Sequence, residues 1–165
     1  MGRLKSDELE PTVIKMSSLL QYMLYETDEE KVLLRNEEES LLNYIDLQRL
    51  RFSSKLTLNT SFDVKEEWHT IEPMLLIPFV ENAFKHGNGL LQHPEIDIGL
   101  QSSNNQLDFF VKNKYIKTDT VKDKTSGIGL ANVKRRLQLL YPESHSLSIE
   151  ENHYWYNVHL KLFLK

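Results

Sequence analysis

The chain has 165 residues, 40% of them hydrophobic and 27% charged, with a formal net charge of −4 and no cysteine. This length can bury one main hydrophobic core. The negative balance supplies no basic surface for DNA or RNA, and the lack of cysteine excludes disulfides, thiolate metal ligands and cysteine nucleophiles. Since no apolar run approaches the roughly 18 residues of a membrane span, we expect a soluble, cytoplasmic domain without a nucleic-acid partner.

The N-terminal third is predicted to form two helices joined by the polar break ETDEEK. Apolar residues spaced by three and four from Thr12 onward indicate a first helix with one face to bury, made of Met16, Leu19, Leu20, Met23 and Leu24. A second helix is predicted near Glu37 to Phe52, and its apolar face carries Leu41, Ile45, Gln48 and Phe52. A helical hairpin that precedes any sheet either packs on the core or associates with a second copy of the chain.

The centre of the chain changes from helical to strand periodicity. Apolar and polar residues alternate from Leu56 to Val64, which predicts a strand with one buried face. An apolar helix is predicted from Met74 to His86, which Pro78 should kink or restart and Gly87 should close. The first strand is therefore followed closely by a helix that can cover the sheet.

The C-terminal half contains the remaining strands and one more helix. A β-hairpin is predicted from Ile96–Leu100 and Leu107–Val111, followed by a polar loop that starts at Lys117. A helix should open near Gly129 and stop at Pro142, and strands should lie at 147–149 and from residue 154 onward. Together these elements predict an α+β two-layer sandwich, with a mixed, mostly antiparallel sheet of about five strands, helices on one face and a helical hairpin in front.

The segment PFVENAFKHGNG carries four polar groups on a helix that is otherwise apolar. Asn82 and His86 lie one turn apart, with Glu81 and Lys85 beside them. An amide oxygen is a hard ligand for Mg²⁺, lysine and histidine donate to phosphate oxygens, and a carboxylate can act as a general base. The alternative is a helix end that emerges into solvent with ordinary C-terminal residues.

A second polar constellation is SGIGLANVKRR, at residues 126–136. Gly127 and Gly129 follow a polar loop and directly precede the predicted helix, where bare backbone and unpaired N–H groups favour an anion such as a polyphosphate. The pattern lacks the Gly-Lys-Ser ending of a P-loop and does not open a βαβ unit. A flexible hinge would explain the two glycines equally well.

Together the two segments resemble motifs of a known family. PMLLIPFVENAFKHG resembles the N box, and SGIGLANVKRRLQLLYP the glycine-rich G box, of sensor histidine kinases of the LytS/YehU type, in the superfamily of gyrase, heat-shock chaperone, histidine kinase and MutL ATPases. The likeness runs roughly from Met16 to Leu164. It implies a Bergerat ATP-binding fold at residues 55–165, with a lid over the nucleotide, and a remnant of the dimerisation and phosphoacceptor helices at residues 1–54.

The resemblance also implies roles for single residues. Asn82 would hold Mg²⁺ and Glu81 would be the base that assists phosphoryl transfer. Arg135 and Arg136 are expected to face solvent or a partner. The residues implied to bind ATP are, in chain order, Asn82, Lys85, His86, Asn113, Gly127, Gly129, Leu130 and Asn132.

One motif departs from the family pattern. The family's strand ends in Asp-x-Gly, whose carboxylate accepts the adenine amino group, whereas this chain has Asn113 in the Asp position and Tyr115 in the Gly position. An amide oxygen can accept the same bond without charge assistance, at about 1 kcal/mol rather than about 2 to 3 kcal/mol. We therefore expect weak ATP binding, or else a nucleotide-free descendant.

The implied function is phosphoryl transfer from Mg-ATP to a histidine in an Asn-Pro-His-Phe segment, which we expect upstream of this chain. The phosphoryl group would pass on to a response regulator of the LytTR type, in a homodimeric parent that reaches the membrane only through its upstream region. The alternative is a degenerate, non-catalytic signalling or dimerisation module that retains the fold. A serine kinase that binds a sigma factor shares the fold, but lacks the leading hairpin.

Overall fold

The computed structural model describes residues 6–25, 29–51, 56–65, 68–86, 94–114, 124–152 and 154–164. These residues form four helices and seven strands. In chain order they are α1 (Ser6–Tyr25), β1 (Val32–Leu33), α2 (Leu34–Arg51), β2 (Thr57–Val64), β3 (Thr70–Ile71), α3 (Ile77–His86), β4 (Glu95–Ser103), β5 (Gln106–Lys114), α4 (Lys124–Leu140), β6 (His145–Glu151) and β7 (Trp155–Phe163).

Five of the strands form one mixed sheet in the order β2-β4-β5-β7-β6. Strand β2 pairs parallel with β4, and the other three pairings are antiparallel. Helix α3 packs against β4 and β5, and α4 packs against α3. The predicted α+β architecture is therefore confirmed. A second small sheet, in which β1 pairs antiparallel with β3, was not predicted because strands of two residues leave no periodicity.

The two faces of the main sheet differ as the alternating sequence requires. Ile98, Val111 and Val158 pair across three strands and are at most 2% exposed, so this face forms the floor of the core. On the opposite face the ring of Phe110 lies over Gly99, and a Cβ there would approach its Cε1 to 2.0 Å. Any larger residue at this position would have to displace the ring.

The predicted hairpin of β4 and β5 is confirmed, with Asn104 and Asn105 between the strands. Both residues have positive φ angles, 53° and 65°. Two successive left-handed residues define a type I′ turn, whose twist matches that of the flanking strands. Asparagine adopts this conformation at lower cost than most residues with a Cβ.

Helix α1 buries only part of the predicted apolar face. Leu19 and Tyr22 are buried, whereas the other predicted face residues remain exposed to solvent. The reason is that α2 contacts one side of α1, while apolar side chains on the other side stay exposed to solvent. We call this side the α1 seam; its members, 42–53% exposed, are Leu9, Val13, Met16, Leu20 and Met23.

The starts of α3 and α4 differ from the sequence prediction. Pro78 is the second residue of α3, where its missing N–H is not needed, so of the two predicted alternatives it starts the helix and does not kink it. Helix α4 begins at Lys124 and includes both Gly127 and Gly129. Glycine disfavours a helix interior by about 1 kcal/mol but does not forbid it.

Several predicted features lie outside the described residues, namely Phe52, Gly87, Tyr115 and the polar loop up to residue 123. One hydrophobic cluster includes buried residues from both sides of the predicted boundary between residues 54 and 55. The division into two parts remains a prediction. In the described ranges, every helix is too short or too polar to cross a bilayer.

Candidate functional site

Helix α3 supplies the polar segment, and its apolar side fixes it on the sheet. Phe79, Val80, Ala83 and Phe84 are at most 3% exposed. The ring of Phe79 meets that of Phe109 on β5 edge to face, with centroids 6.1 Å apart. This packing holds the polar residues of α3 on a rigid element.

The four predicted polar residues of α3 differ in exposure. Asn82 is 7% exposed, and its buried Oδ1 accepts no hydrogen bond from the described part of the chain. Glu81, Lys85 and His86 are exposed. The helix thus emerges from the core along this stripe, and it places a buried acceptor beside three groups that reach solvent. A buried oxygen without a donor is costly, so this position favours a partner such as a water, a cation or a ligand donor.

Asn113 lies at the end of β5, on the helix-covered face of the sheet. It is 1% exposed and pairs in register with Ile96 and Tyr156. Its Nδ2 donates to the carbonyl oxygen of Lys114 at 3.2 Å. Because Nδ2 is used in this bond, the oxygen Oδ1 is the atom of the amide that could accept a hydrogen bond from a ligand.

Helix α4 carries the remaining predicted residues in different environments. Gly127 lies in the first turn, where helical N–H groups have no intrahelical partner. Leu130 is half-buried and packs against the core, whereas Gly129 and Asn132 are exposed. A Cβ at Gly129 would meet nothing within 4 Å, so no close approach requires glycine there.

Tyr44 on α2 lies within electrostatic range of Glu81, a neighbour that sequence reasoning missed. Burial and then the negative charge of Glu81 raise the pKa of Tyr44 to about 12. The sequence did contain a signal for a partly buried Tyr44, because this residue directly precedes Ile45, which belongs to the predicted apolar face of α2. What the sequence could not show is that α2 crosses next to α3.

We predict that Tyr44 remains protonated when ordinary tyrosines ionise near pH 10. The unfolded chain would release this proton near pH 10 and the folded chain only near pH 12, so stability falls as the pH rises through this interval. Near-ultraviolet tyrosinate titration should show a late transition near pH 12 that Tyr44→Phe removes, while burial and Glu72 raise the pKa of Tyr141 further still. Loss of the late transition in the exposed-site control Tyr154→Phe instead would contradict the assignment.

The backbone that leads into α3 is held by two charged side chains. Glu37 on α2 is fully buried, and it accepts hydrogen bonds from the amides of Met74 at 3.2 Å and Leu76 at 3.3 Å. Its carboxylate also accepts the hydroxyl hydrogen of Tyr22 on α1. Burial raises the pKa of Glu37, although these hydrogen bonds oppose the shift.

Arg136 holds the same backbone from the other side. Its guanidinium donates to the carbonyl oxygens of Pro73 at 3.1 Å and Met74 at 3.4 Å. The expectation that Arg136 faces solvent or a partner is therefore wrong. It lies on the flank of α4 that turns toward the start of α3, a relation between distant segments that helical periodicity alone does not reveal.

Comparisons with known proteins find sensor kinases among the sequence relatives. A family model described as histidine kinase matches residues 1–56. The sensor histidine kinase YpdA of Escherichia coli K12 is 30% identical over 151 residues, which cover 86% of this chain and 26% of YpdA. The sensor protein kinase HptS of Staphylococcus aureus is 34% identical over 83 residues, covering 50% of this chain and 16% of HptS. The chain thus spans about a quarter or less of these relatives.

The fold also matches solved histidine kinase domains. The histidine kinase domain of a blue-light-activated kinase from Erythrobacter litoralis superposes with a TM-score of 0.58 at 16% identity, covering 97% of this chain and 76% of that one. At this identity the match shows the fold alone. Over most of its length the chain is similar in sequence to a sensor histidine kinase, and its described residues share the fold of a histidine kinase domain.

Proposed function

We propose that this chain is the ATP-binding catalytic part of a sensor histidine kinase of the LytS/YehU type, with a Bergerat fold. The single observation that carries the proposal is the buried Oδ1 of Asn82, which accepts no hydrogen bond from the described residues. Its position in the N-box segment coincides with the residue that the family resemblance assigns to Mg²⁺. An orphaned hard oxygen next to three solvent-reaching polar groups suits a magnesium-bound triphosphate.

Asn82 would hold the magnesium ion. Mg²⁺ accepts few protein ligands and keeps waters and substrate phosphates as its others, so one amide oxygen is a sufficient protein contribution. When bound, the ion would neutralise charge on the transferred phosphoryl group. The rigid packing of α3 on β5 keeps Asn82 fixed, which reduces the reorganisation needed for binding.

The exposed residues of α3 would contact the substrate. Lys85 and His86 carry donors that suit phosphate oxygens, and Glu81 would take the proton from the attacking imidazole nitrogen. The first turn of α4, with Gly127, adds backbone N–H groups and the positive end of a helix dipole. Leu130 would pack behind this turn, and Gly129 and Asn132 would line its open side.

Asn113 would recognise the adenine ring. Its amide orientation leaves Oδ1 to accept from the exocyclic amino group, because Nδ2 is already used on Lys114. A neutral acceptor forms a weaker bond than a carboxylate. We therefore expect ATP affinity below that of a domain with aspartate at this position.

The γ-phosphoryl group would pass to a histidine on a segment outside this chain, and then to a response regulator, in a two-component phosphorelay. We propose a regulator of the LytTR type. We also propose that the parent is a homodimer, since the α1 seam repeats at spacings of four and three residues, which is the spacing of a helix–helix seam. The domain would be cytoplasmic, and the parent would reach the membrane through its upstream region.

A second candidate is a degenerate module that keeps the fold for signalling or dimerisation without catalysis. The observation that favours it is the side chain of Asn113. It is neutral, and its Nδ2 donates to the backbone carbonyl of the next residue, Lys114. This candidate predicts the same seam on α1 but no nucleotide binding.

Isothermal titration calorimetry of the chain with ATP distinguishes the two candidates. The catalytic proposal predicts a saturable heat with ATP and Mg²⁺, at a dissociation constant weaker than about 10 μM, and a much smaller heat with ATP and EDTA. GTP with Mg²⁺ is the matched control, since its base presents a carbonyl where adenine presents an amino group. No heat with millimolar Mg-ATP would sink the catalytic proposal and leave the degenerate module.

A further inference from the structure

The segment Pro73–Leu76 joins the small β1–β3 sheet to the start of α3. Met74 has a φ of 62°, in the left-handed region, although it is not glycine. Such a conformation costs about 1 kcal/mol or more and persists only where surrounding contacts impose it. The backbone before the polar helix is therefore held in place by contacts rather than by its own preference.

Those contacts come from two different parts of the fold. The Glu37 carboxylate on α2 accepts the amides of Met74 and Leu76, using both of its oxygens. The Arg136 guanidinium on α4 donates to the carbonyls of Pro73 and Met74. In the segment Pro73–Leu76, the backbone N–H groups thus face the Glu37 carboxylate and the backbone carbonyls face the Arg136 guanidinium. Charged hydrogen-bond partners are stronger than neutral ones.

The Glu37 side of this arrangement extends to the first helix. Tyr22 on α1 is 5% exposed, and its hydroxyl donates to the same Glu37 carboxylate. One buried side chain thus contacts α1 and the start of α3, while itself belonging to α2. A displacement of α1 against α2 would remove a donor from Glu37 and change the hydrogen bonding of the carboxylate that the Met74 and Leu76 amides contact.

We propose that Glu37, together with Arg136, is a positioning residue that couples the α1–α2 hairpin to the site on α3. The pair sets the backbone conformation at Met74, and this conformation sets where α3 begins and therefore where Glu81 and Asn82 lie. The coupling to nucleotide binding rests on the proposed function. The mechanical link between Tyr22, Glu37 and the α3 start does not.

Amide hydrogen exchange followed by mass spectrometry or NMR tests the link without any nucleotide. In Tyr22→Phe and in Glu37→Gln, the amides of Met74, Leu76 and α3 should exchange about tenfold faster than in the wild-type chain. Glutamine places an NH₂ group against a backbone N–H donor, so at least one of the two backbone bonds is lost. Tyr22→Phe deletes one hydroxyl only and serves if Glu37→Gln folds poorly.

The matched control is Val158→Ala, which removes two buried methyl groups from β7 without touching Pro73–Leu76. It should raise exchange across the sheet and leave the ratio between α3 and sheet exchange unchanged. Calorimetry on the same variants measures their affinity for Mg-ATP. When variants with the same free energy of unfolding are compared, Tyr22→Phe and Glu37→Gln should bind Mg-ATP about five- to tenfold more weakly than Val158→Ala does.

The outcomes separate the two proposals. Wild-type exchange rates at Met74, Leu76 and α3 in both variants would overturn the link, as would an identical local effect in Val158→Ala. Faster local exchange together with unchanged Mg-ATP affinity would overturn the coupling to the site. Absence of Mg-ATP binding by the wild-type chain would overturn the proposed function, and the exchange pattern would still decide the link.

Discussion

Replacing Asn82 with alanine should abolish measurable Mg-ATP binding while leaving the fold as stable as before, or more stable. Even outer-shell partners of metal ligands are worth about 10–100-fold in affinity, so loss of the only ligand that we propose from the protein should cost about a hundredfold or more. Alanine also removes a buried oxygen that accepts no bond from the described residues. An unsatisfied buried group costs about 1 to 3 kcal/mol, which offsets the small cavity that the substitution leaves.

The opposite directions of these two effects make the experiment informative. Calorimetry with Mg-ATP measures the affinity, and urea unfolding measures the free energy of unfolding. The control Asn59→Ala removes an exposed amide that donates to Asp97 at 2.8 Å on the open face of the sheet, and it should leave binding unchanged. If Asn82→Ala bound Mg-ATP like the wild-type chain, or if it lost several kcal/mol of stability, Asn82 would be a structural residue.

The second large effect is expected at the α1 seam. Its five residues lie along one side of the helix at spacings of four, three, four and three, and each is 42–53% exposed in the single chain. Met16→Glu combined with Leu20→Glu should convert a dimer into monomers. Two copies of each change act in a symmetric dimer, and each buried apolar side chain is worth about 1.5 to 3 kcal/mol, so the dissociation constant should rise more than a hundredfold.

Sedimentation velocity over a range of concentrations measures this change. The control pair Leu139→Glu and Leu140→Glu introduces the same charges at exposed leucines of α4, which are 72% and 41% exposed, and it should leave the dimer intact. A wild-type chain that is monomeric at all accessible concentrations would contradict the seam as a dimer interface within this chain. So would equal dissociation in the control pair.

The centre of the sheet could be predicted from the sequence because its three nine-residue strands, β4, β5 and β7, each have one buried face. The alternation around Val111 and around Val158 gives both the strand and the side that faces the core, and the structure confirms it. The turn between β4 and β5 lies where the predicted hairpin requires one, and its residues Asn104 and Asn105 tolerate the positive φ that the structure shows. These features depend on local chemistry, which a single sequence contains.

Features that depend on contacts between distant segments could not be predicted in the same way. Glu37 appeared in the sequence only as the start of a helix, yet it is fully buried among donors from two other segments. Arg136 appeared as one of two surface arginines, yet its partners Met74 and Pro73 precede it by 62 and 63 residues. The candidate residues Glu81 and Asn82 came from a motif and not from periodicity, and their roles in binding remain predictions.

The parallel pairing of β2 with β4 has a consequence for how the chain folds. The β4–β5 and β6–β7 pairs are joined by short connections, so they can form early, whereas β2 meets β4 only after a crossover that contains α3. Closing this long loop costs chain entropy before any strand contact is gained. We expect α3, which carries Asn82, to reach its native position in one of the last steps of folding. Newly made chains would therefore form an intermediate in which most of the sheet is assembled but the substrate cannot yet bind.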